Sequence, residues 1–258
     1  MNKSLKILGV QRISKPALHC AFTDLIANPF DESQSTLLCC YRQATNHVSV
    51  DGVLVVMTID KDSFEVCRQT ILSENNADLR DPKFSFDGNR LILTTYAKTQ
   101  IEGGQVLTKM QTYFSTTGQS WSGKNSFGKN GWWLWNHDWF GSEAYGFAYN
   151  QSSNTLSLYK GDPTRTMLLH KNAVFSLNKQ GKGYPNESTV LFNSNGHASV
   201  FLRRDADTYS AQFGTSKPPY TKWQWHDLGI YIGGPAAVAL SENLYIVAGR
   251  HIDWDKRQ

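Results

Sequence analysis

The sequence feature that most constrains the fold is a fivefold repeat of short strands. Apolar runs that alternate or are rich in β-branched residues recur between Gly, Asn, Asp and Ser turns, and no segment carries a sustained helical stripe. In each repeat a polar or Gly-Pro motif precedes an apolar strand, a turn and a second strand rich in Tyr, Arg or Gly. The markers of the repeats are spaced by 57, 56, 50 and 48 residues: Asp24, Asp81, His137, Glu187 and Pro235. This is the period of a propeller blade, so the sequence predicts an all-β chain.

The repeats span nearly the whole chain, which predicts a single β-propeller domain over residues 1–258. The 26 Lys and Arg against 22 Asp and Glu are spread without a basic block, which argues against a nucleic-acid partner. No apolar stretch is long enough to cross a membrane, and Lys6 and Arg12 interrupt the only candidate signal-peptide core.

The cysteines show neither metal-ligand spacing nor a disulfide framework: Cys20, Cys39, Cys40 and Cys67. The adjacent pair should point to opposite faces of a strand and pack as free thiols. Together with the lack of a signal peptide, this predicts a cytoplasmic location.

The start of each innermost strand should lie near the central channel, so the repeat markers should gather at one end of the propeller axis. Asn186 and Glu187 head the fourth inner strand, and Arg203 and Arg204 close the strand after it. Glu187 and Arg203 are separated by 16 residues, one hairpin out and back, so both should face one site.

Several segments, in this order, resemble the sialidase superfamily and within it the sialidase-like proteins with BNR repeats: "DLRDPKFSFDGNRL", "GYPNESTVLFNSNG", "FLRRD", "GTSKPPYTKWQWHDLG" and "IGGPAAVAL". The turn "STTGQSW", residues 115–121, resembles the Asp-box of that family with Thr117 in place of Asp, and "TIDKDSF" resembles it more loosely. The resemblance implies a propeller of four-stranded blades, six in the family, that acts as a glycoside hydrolase on a carbohydrate. Because the chain stops after the fifth repeat, it also implies that most of the last blade, with the family's tyrosine nucleophile, is lacking.

The resemblance also implies roles for individual residues. The family's Glu that polarises the tyrosine matches Glu187, and the Arg that holds the substrate carboxylate matches Arg203, with Arg204 as an alternative. The acid/base Asp of the first-blade loop matches Asp51. Two nearby residues are further candidates for substrate binding: Arg42 and His47.

The chain departs from the family at its arginines. "FTDL" stands where the family has Arg-Ile-Pro, and "RDP" at 80–82, which contains Arg80, resembles that motif one blade later. The third arginine is absent from "LGIYIGGP". Losing members of such a cluster removes charge-assisted hydrogen bonds, which argues against sialic acid as the substrate.

A rival hypothesis uses three carboxylates at the repeat starts, Asp24, Asp81 and Glu187, as in five-bladed furanosidase-like propellers, where "RDP" is a familiar motif. Two carboxylates that flank a glycosidic bond are sufficient for hydrolysis without a tyrosine. Trp135 and His137 could line the pocket or pack between blades. A glycan-binding propeller without catalysis and a scaffold for protein partners are the remaining alternatives, and no motif predicts a metal or cofactor.

Overall fold

The computed structural model describes residues 6–253, so the first and last five residues of the predicted domain lie outside the described part. Within that range the strands form four four-stranded antiparallel sheets and one two-stranded sheet. The first sheet contains β1 (His19–Ala27), β2 (Thr36–Ala44), β3 (Val53–Asp60) and β4 (Val66–Leu72); the second contains β5 (Ala77–Phe86), β6 (Leu91–Gln100), β7 (Val106–Ser115) and β8 (Ser122–Phe127). The third contains β9 (Trp133–Phe140), β10 (Glu143–Asn150), β11 (Thr155–Asp162) and β12 (Thr166–Ser176). The fourth contains β13 (Pro185–Phe192), β14 (Ala198–Arg204), β15 (Gln212–Ser216) and β16 (Gln224–Asp227), and the last contains β17 (Gly233–Ser241) and β18 (Leu244–Arg250).

The sheets are the blades of a propeller. In each sheet the strands lie side by side in chain order, and successive first strands contact one another: β1 with β5, β5 with β9, β9 with β13, and β13 with β17. Helical structure is limited to the 3-10 turn Glu102–Gly104 and the single turn α1 (Leu177–Gln180) within the described range. The prediction of an all-β propeller with four-stranded blades is therefore confirmed.

Apolar side chains on the faces of neighbouring blades form the core. Leu38 and Leu54 of the first blade pack with Leu79 and Leu93 of the second, and all four are fully buried. Each such leucine contributes about 1.5–3 kcal/mol through its removal from water. Cys40 belongs to this cluster, whereas the adjacent Cys39 packs on the other face of its strand, and both are free thiols, as predicted.

The turn resembling an Asp-box is held by side-chain hydrogen bonds. Ser115 Oγ accepts from the Thr117 and Gly118 amides at 3.2 and 2.8 Å, and Thr117 Oγ1 accepts from the amide of Gln119. Trp121 packs against the core between the first two blades. These contacts close the hairpin between β7 and β8.

Every innermost strand carries a β-bulge at the same point. In β1 it lies between Ala21 and Asp24, in β5 between Arg80 and Lys83, and in β13 between Pro185 and Ser188, with corresponding bulges in β9 and β17. A bulge inserts an unpaired residue and redirects the side chains around it. Five bulges at one level of the ring therefore turn side chains toward the axis.

The bulges show which sequence markers are structurally equivalent. Asp81, Glu187 and Pro235 lie inside their bulges, whereas Asp24 and His137 come directly after theirs. Asp81 is the first of the two residues in its bulge and Glu187 is the second, so the two carboxyl groups lie within one residue of each other in register, and Asp24 lies directly after its bulge.

Candidate functional site

Glu187 is the carboxylate at the centre of the axial site. Its Oε2 atom accepts hydrogen bonds from Arg203 Nη1 at 2.6 Å, from the backbone N–H of Gly234 at 2.7 Å and from Arg250 Nη2 at 3.4 Å. The Oε1 atom makes no hydrogen bond with the residues that the structure describes. The Glu187 side chain is 10% exposed. Two guanidinium groups and a backbone amide therefore hold its Oε2 atom, while its Oε1 atom stays available.

A second carboxylate fixes the position of Arg203. Asp205 accepts from Arg203 Nε at 2.9 Å and approaches Arg203 Nη2 at 2.9 Å, and it also accepts from Asn186 Nδ2 at 2.5 Å. Burial acts to lower the pKa of Arg203, but Glu187 and Asp205 together raise it above its ordinary value. Arg203 is therefore a fixed cation beside Glu187, as the spacing along the hairpin predicts.

Asp81 has the opposite environment. It sits in the bulge of β5 with φ of 50°, and both carboxylate oxygens are buried without a hydrogen-bond partner among residues 6–253. Its nearest cationic group is Arg80, whose Nε lies 4.0 Å from Oδ2. Burial and, to a smaller extent, the charge of Glu187 raise the pKa of Asp81 to about 7, while Lys83 and Arg80 oppose the shift. The site thus holds a buried carboxyl group whose pKa is raised to about 7, and a second carboxyl group, Glu187, that accepts hydrogen bonds from two guanidinium groups and a backbone amide.

Arg80 and Arg42 fasten a loop over the first two blades. Arg80 Nη1 donates to the carbonyl of His47 at 2.8 Å and to Asp78 Oδ2 at 3.3 Å. Arg42 is fully buried; its Nε donates to Asp78 Oδ1 at 2.6 Å and its Nη2 to Ser49 Oγ at 3.1 Å. Arg42 therefore stabilises the fold, while the buried Arg80 connects the exposed His47 to Asp81.

Asp51 lies away from the other carboxylates. It accepts hydrogen bonds from the backbone and hydroxyl of Thr45 within an exposed turn. Hydrogen bonds from Ser49 and Thr45 lower the pKa of Asp51 to about 2. These contacts stabilise the loop between β2 and β3. Within the described range Asp51 contacts neither Glu187 nor Asp81.

Asp24 links the first two blades inside the channel. Its Oδ2 accepts from the backbone N–H of Phe84 at 2.7 Å, and its Oδ1 lies 3.8 Å from Lys83 Nζ. Burial raises the pKa of Asp24, against the influence of Lys83 and the backbone amides. It borders a central cavity of about 390 Å³ that is lined by all five innermost strands.

Trp135 and His137 form part of the channel wall. His137 Nε2 is 2.6 Å from Ser85 Oγ, and burial lowers the pKa of His137 to about 4, so its ring is neutral. Trp135 is 5% exposed, with Lys83 Nζ 5.0 Å from its ring centre. Both side chains contact β5 of the neighbouring blade, and His137 also lines the central cavity.

The two adjacent arginines have separate tasks. Arg204 is fully buried, donates to the carbonyls of Gly183 and Ser210 at 3.2 and 3.1 Å, and pairs with Asp207. Strand alternation sends it away from Glu187, so Arg203 alone of the pair contacts that carboxylate.

Sequence reasoning missed Arg250. It pairs with Gly233 across the last sheet, the register position that Arg204 holds against Pro185 and Arg42 holds against Ala21. Aligning the repeats by the ends of their second strands, rather than by their first, would have found it. No group of three or more His, Cys, Asp or Glu side chains in the described range is arranged to hold a metal, and no helix there is long and apolar enough to span a membrane.

No protein-family model and no curated protein matches this sequence. Solved structures match the fold: a protein of unknown function from Dyadobacter fermentans is 18% identical with a TM-score of 0.75, over 91% of this chain and 76% of that one. The α-L-arabinofuranosidase Arb93A from Fusarium graminearum is 14% identical with a TM-score of 0.62 (89% and 72%). Zg3597, a family 117 glycoside hydrolase from Zobellia galactanivorans, is 11% identical with a TM-score of 0.59 (80% and 69%). The chain is therefore a β-propeller whose structural neighbours include glycoside hydrolases, and at these identities the likeness concerns the fold.

Proposed function

We propose that this protein is a glycoside hydrolase that uses Asp81 and Glu187 as its two carboxyl groups. The observation that carries the proposal is the contrast between them: Asp81 is buried without a hydrogen-bond partner in the described range and its pKa is raised to about 7, whereas Glu187 accepts hydrogen bonds from two guanidinium groups and an amide. Glycosidases use two carboxyl groups in different environments: one is protonated and acts as the general acid, and the other acts as the general base or the nucleophile.

In this mechanism Asp81 gives its proton to the glycosidic oxygen, directly or through one water, as the bond to the anomeric carbon breaks. Glu187 Oε1 either takes a proton from the attacking water or attacks the anomeric carbon itself, and the configuration of the product distinguishes these courses. Arg203 and Arg250 hold Oε2 and thereby fix the orientation of the carboxylate. Asp24 positions the second blade against the first through Phe84.

The proposed substrates are furanosides and related pentosides. The Fusarium neighbour is named an α-L-arabinofuranosidase, and a Xanthomonas citri neighbour, with a TM-score of 0.57, was solved with xylotriose. These neighbours support the furanosidase-like alternative that the sequence analysis raised. A sialidase-like activity is an alternative to the pentosidase activity, and the contact between Glu187 and Arg203 supports it.

A glycan-binding protein without catalysis is the second candidate function. It is favoured by one observation: the Asp81 side chain is only 1% exposed, so a sugar reaches it only when neighbouring side chains move or a water intervenes.

The test is hydrolysis of aryl α-L-arabinofuranosides, β-xylosides, β-galactosides and α-sialosides by the native chain, Asp81→Asn and Glu187→Gln. The matched controls are Asp62→Asn and Glu102→Gln, which change exposed carboxylates outside the site. We expect pentoside turnover that falls at least about 100-fold in both site variants and stays unchanged in the controls. Glycan binding without turnover would support the binding protein instead, and turnover of the sialosides alone would support the sialidase.

A further inference from the structure

Lys98 is a cation on β6, the strand that pairs with β5, which carries Arg80 and Asp81. It lies near the end of β6, half-buried, opposite Asp78 on β5. Its ammonium group makes no hydrogen bond or ion pair with the described residues. Burial lowers the pKa of Lys98 and Arg80 lowers it further, while Asp78 and Asp81 oppose the shift. A half-buried ammonium beside like charges is destabilised unless an anion joins it.

The surroundings of Lys98 are cationic as a group. Asp78 is shared between Arg42, at 2.6 Å, and Arg80, at 3.3 Å, so one carboxylate serves two guanidinium groups. The other nearby carboxyl group, Asp81, is the one whose pKa is raised to about 7. The cluster therefore carries more positive than negative charge when it is empty.

Two histidines border this cluster on the solvent side. The Nε2 atom of His47 is 3.5 Å from Arg80 Nη2, and His19 Nδ1 is 3.3 Å from Arg42 Nη1. The two imidazole rings are 5.4 Å apart, and His47 is exposed. Burial and Arg80 lower the pKa of His47, so its neutral ring can donate one hydrogen bond without adding charge.

We infer that Lys98, Arg80 and His47 form a subsite for an anionic substituent of the glycan, a carboxylate or a sulfate ester. The inference rests on the proposed glycan site, because Arg80 Nε lies 4.0 Å from Asp81 and so joins the subsite to the proposed proton donor. Arg80 Nε is buried without a hydrogen-bond partner among residues 6–253. An anion at this position would satisfy Lys98 and compensate the excess positive charge.

The inference is tested by calorimetric titration with three probes: methyl β-D-glucuronide, methyl β-D-glucoside and sodium sulfate. The two glycosides differ only in the carboxylate, and sulfate tests the anion without a sugar. The titrations use the native chain, Lys98→Gln, Lys98→Arg and the control Lys61→Gln, whose side chain lies in the distant turn between β3 and β4. Circular dichroism and thermal unfolding establish that each variant is folded.

We expect the glucuronide to bind at least about tenfold more tightly than the glucoside, a preference lost in Lys98→Gln and largely kept in Lys98→Arg and Lys61→Gln. Equal affinity for the two glycosides, or a preference that survives in Lys98→Gln, overturns the inference. Binding of sulfate alone, with no glycoside bound, also overturns it, since the site would then hold a free anion rather than a sugar substituent.

Failure of the subsite and failure of the hydrolase are distinguishable. Pentoside turnover without a charge preference retains the hydrolase and rejects the subsite. Binding of the glucuronide that depends on Lys98, without turnover of any glycoside, retains the subsite and rejects the hydrolase.

Discussion

Replacing Asp81 by asparagine should change how the stability of the protein depends on pH. The folded chain holds Asp81 with a pKa of about 7, against an ordinary value of 3.8. Between these values the native state binds a proton that the unfolded state has released. The free energy of unfolding of the native chain therefore falls as pH rises through this window, and above about pH 7 it falls no further on account of Asp81.

The magnitude follows from the two pKa values. A difference of one pKa unit between the folded and unfolded states corresponds to about 1.4 kcal/mol. The ionised Asp81 therefore lowers the free energy of unfolding by about 4 kcal/mol at pH 8. At pH 5 the cost is less than half as large, because the native carboxyl is still protonated there. An asparagine side chain has the same shape and no charge, and it tolerates the left-handed φ of 50° at this position. Relative to the native chain, Asp81→Asn should therefore gain about 3 kcal/mol of stability between pH 5 and pH 8.

The assay is equilibrium urea unfolding of both proteins at pH 5, 6, 7 and 8, with Asp62→Asn as the control for an exposed turn carboxylate. If the difference in unfolding free energy between Asp81→Asn and the native chain stays constant across this range, Asp81 does not hold a proton in the folded state. Its assignment as the proton donor would then be refuted as well.

Three further predictions concern the same region. Gly52→Ala should destabilise the fold by several kcal/mol, about 3–5, since a Cβ there would lie 1.8 Å from Asp78 Oδ1 and displace a buried ion pair; thermal unfolding measures this. Arg204→Met should cost about 3 kcal/mol or more in urea unfolding, because it leaves buried carbonyls without donors. Glu187→Gln should lower the pKa of Asp81, since it removes a like charge, and carboxyl carbon NMR across pH 5–9 detects the change.

Each of these has its own control or contrary outcome. Gly9→Ala, where no heavy atom lies within 4 Å of the added Cβ, should leave stability unchanged, and equal effects at both glycines would contradict the steric argument. An Arg204→Met variant as stable as the native chain would show that water replaces the guanidinium. A pKa of Asp81 that rises in Glu187→Gln would contradict the like-charge coupling.

Strand patterns predicted the positions of some site residues but not of others. The pairing of Glu187 with Arg203 could be predicted because a hairpin fixes register, and a separation of 16 residues returns the chain to the same blade end. Asp51 could not be placed in the same way, because it lies on a loop whose path depends on Thr45. Arg250 was missed because the repeats were aligned by their first strands, while its register partner Gly233 carries no side chain to mark the position.

The sequence by itself determined the architecture. The alternation of apolar residues and the spacing of turn signals dictate short strands, and a repeat near 50 residues leaves a propeller as the way to bury their faces. Only the tertiary structure decided the chemistry of the carboxyl groups. Asp24, Asp81 and Glu187 all lie near the start of an innermost strand, but burial raises the pKa of Asp24 and of Asp81, whereas Glu187 is contacted by Arg250 from the next sheet. Those contributions act through space, across residues far apart in the chain, so no local pattern records them.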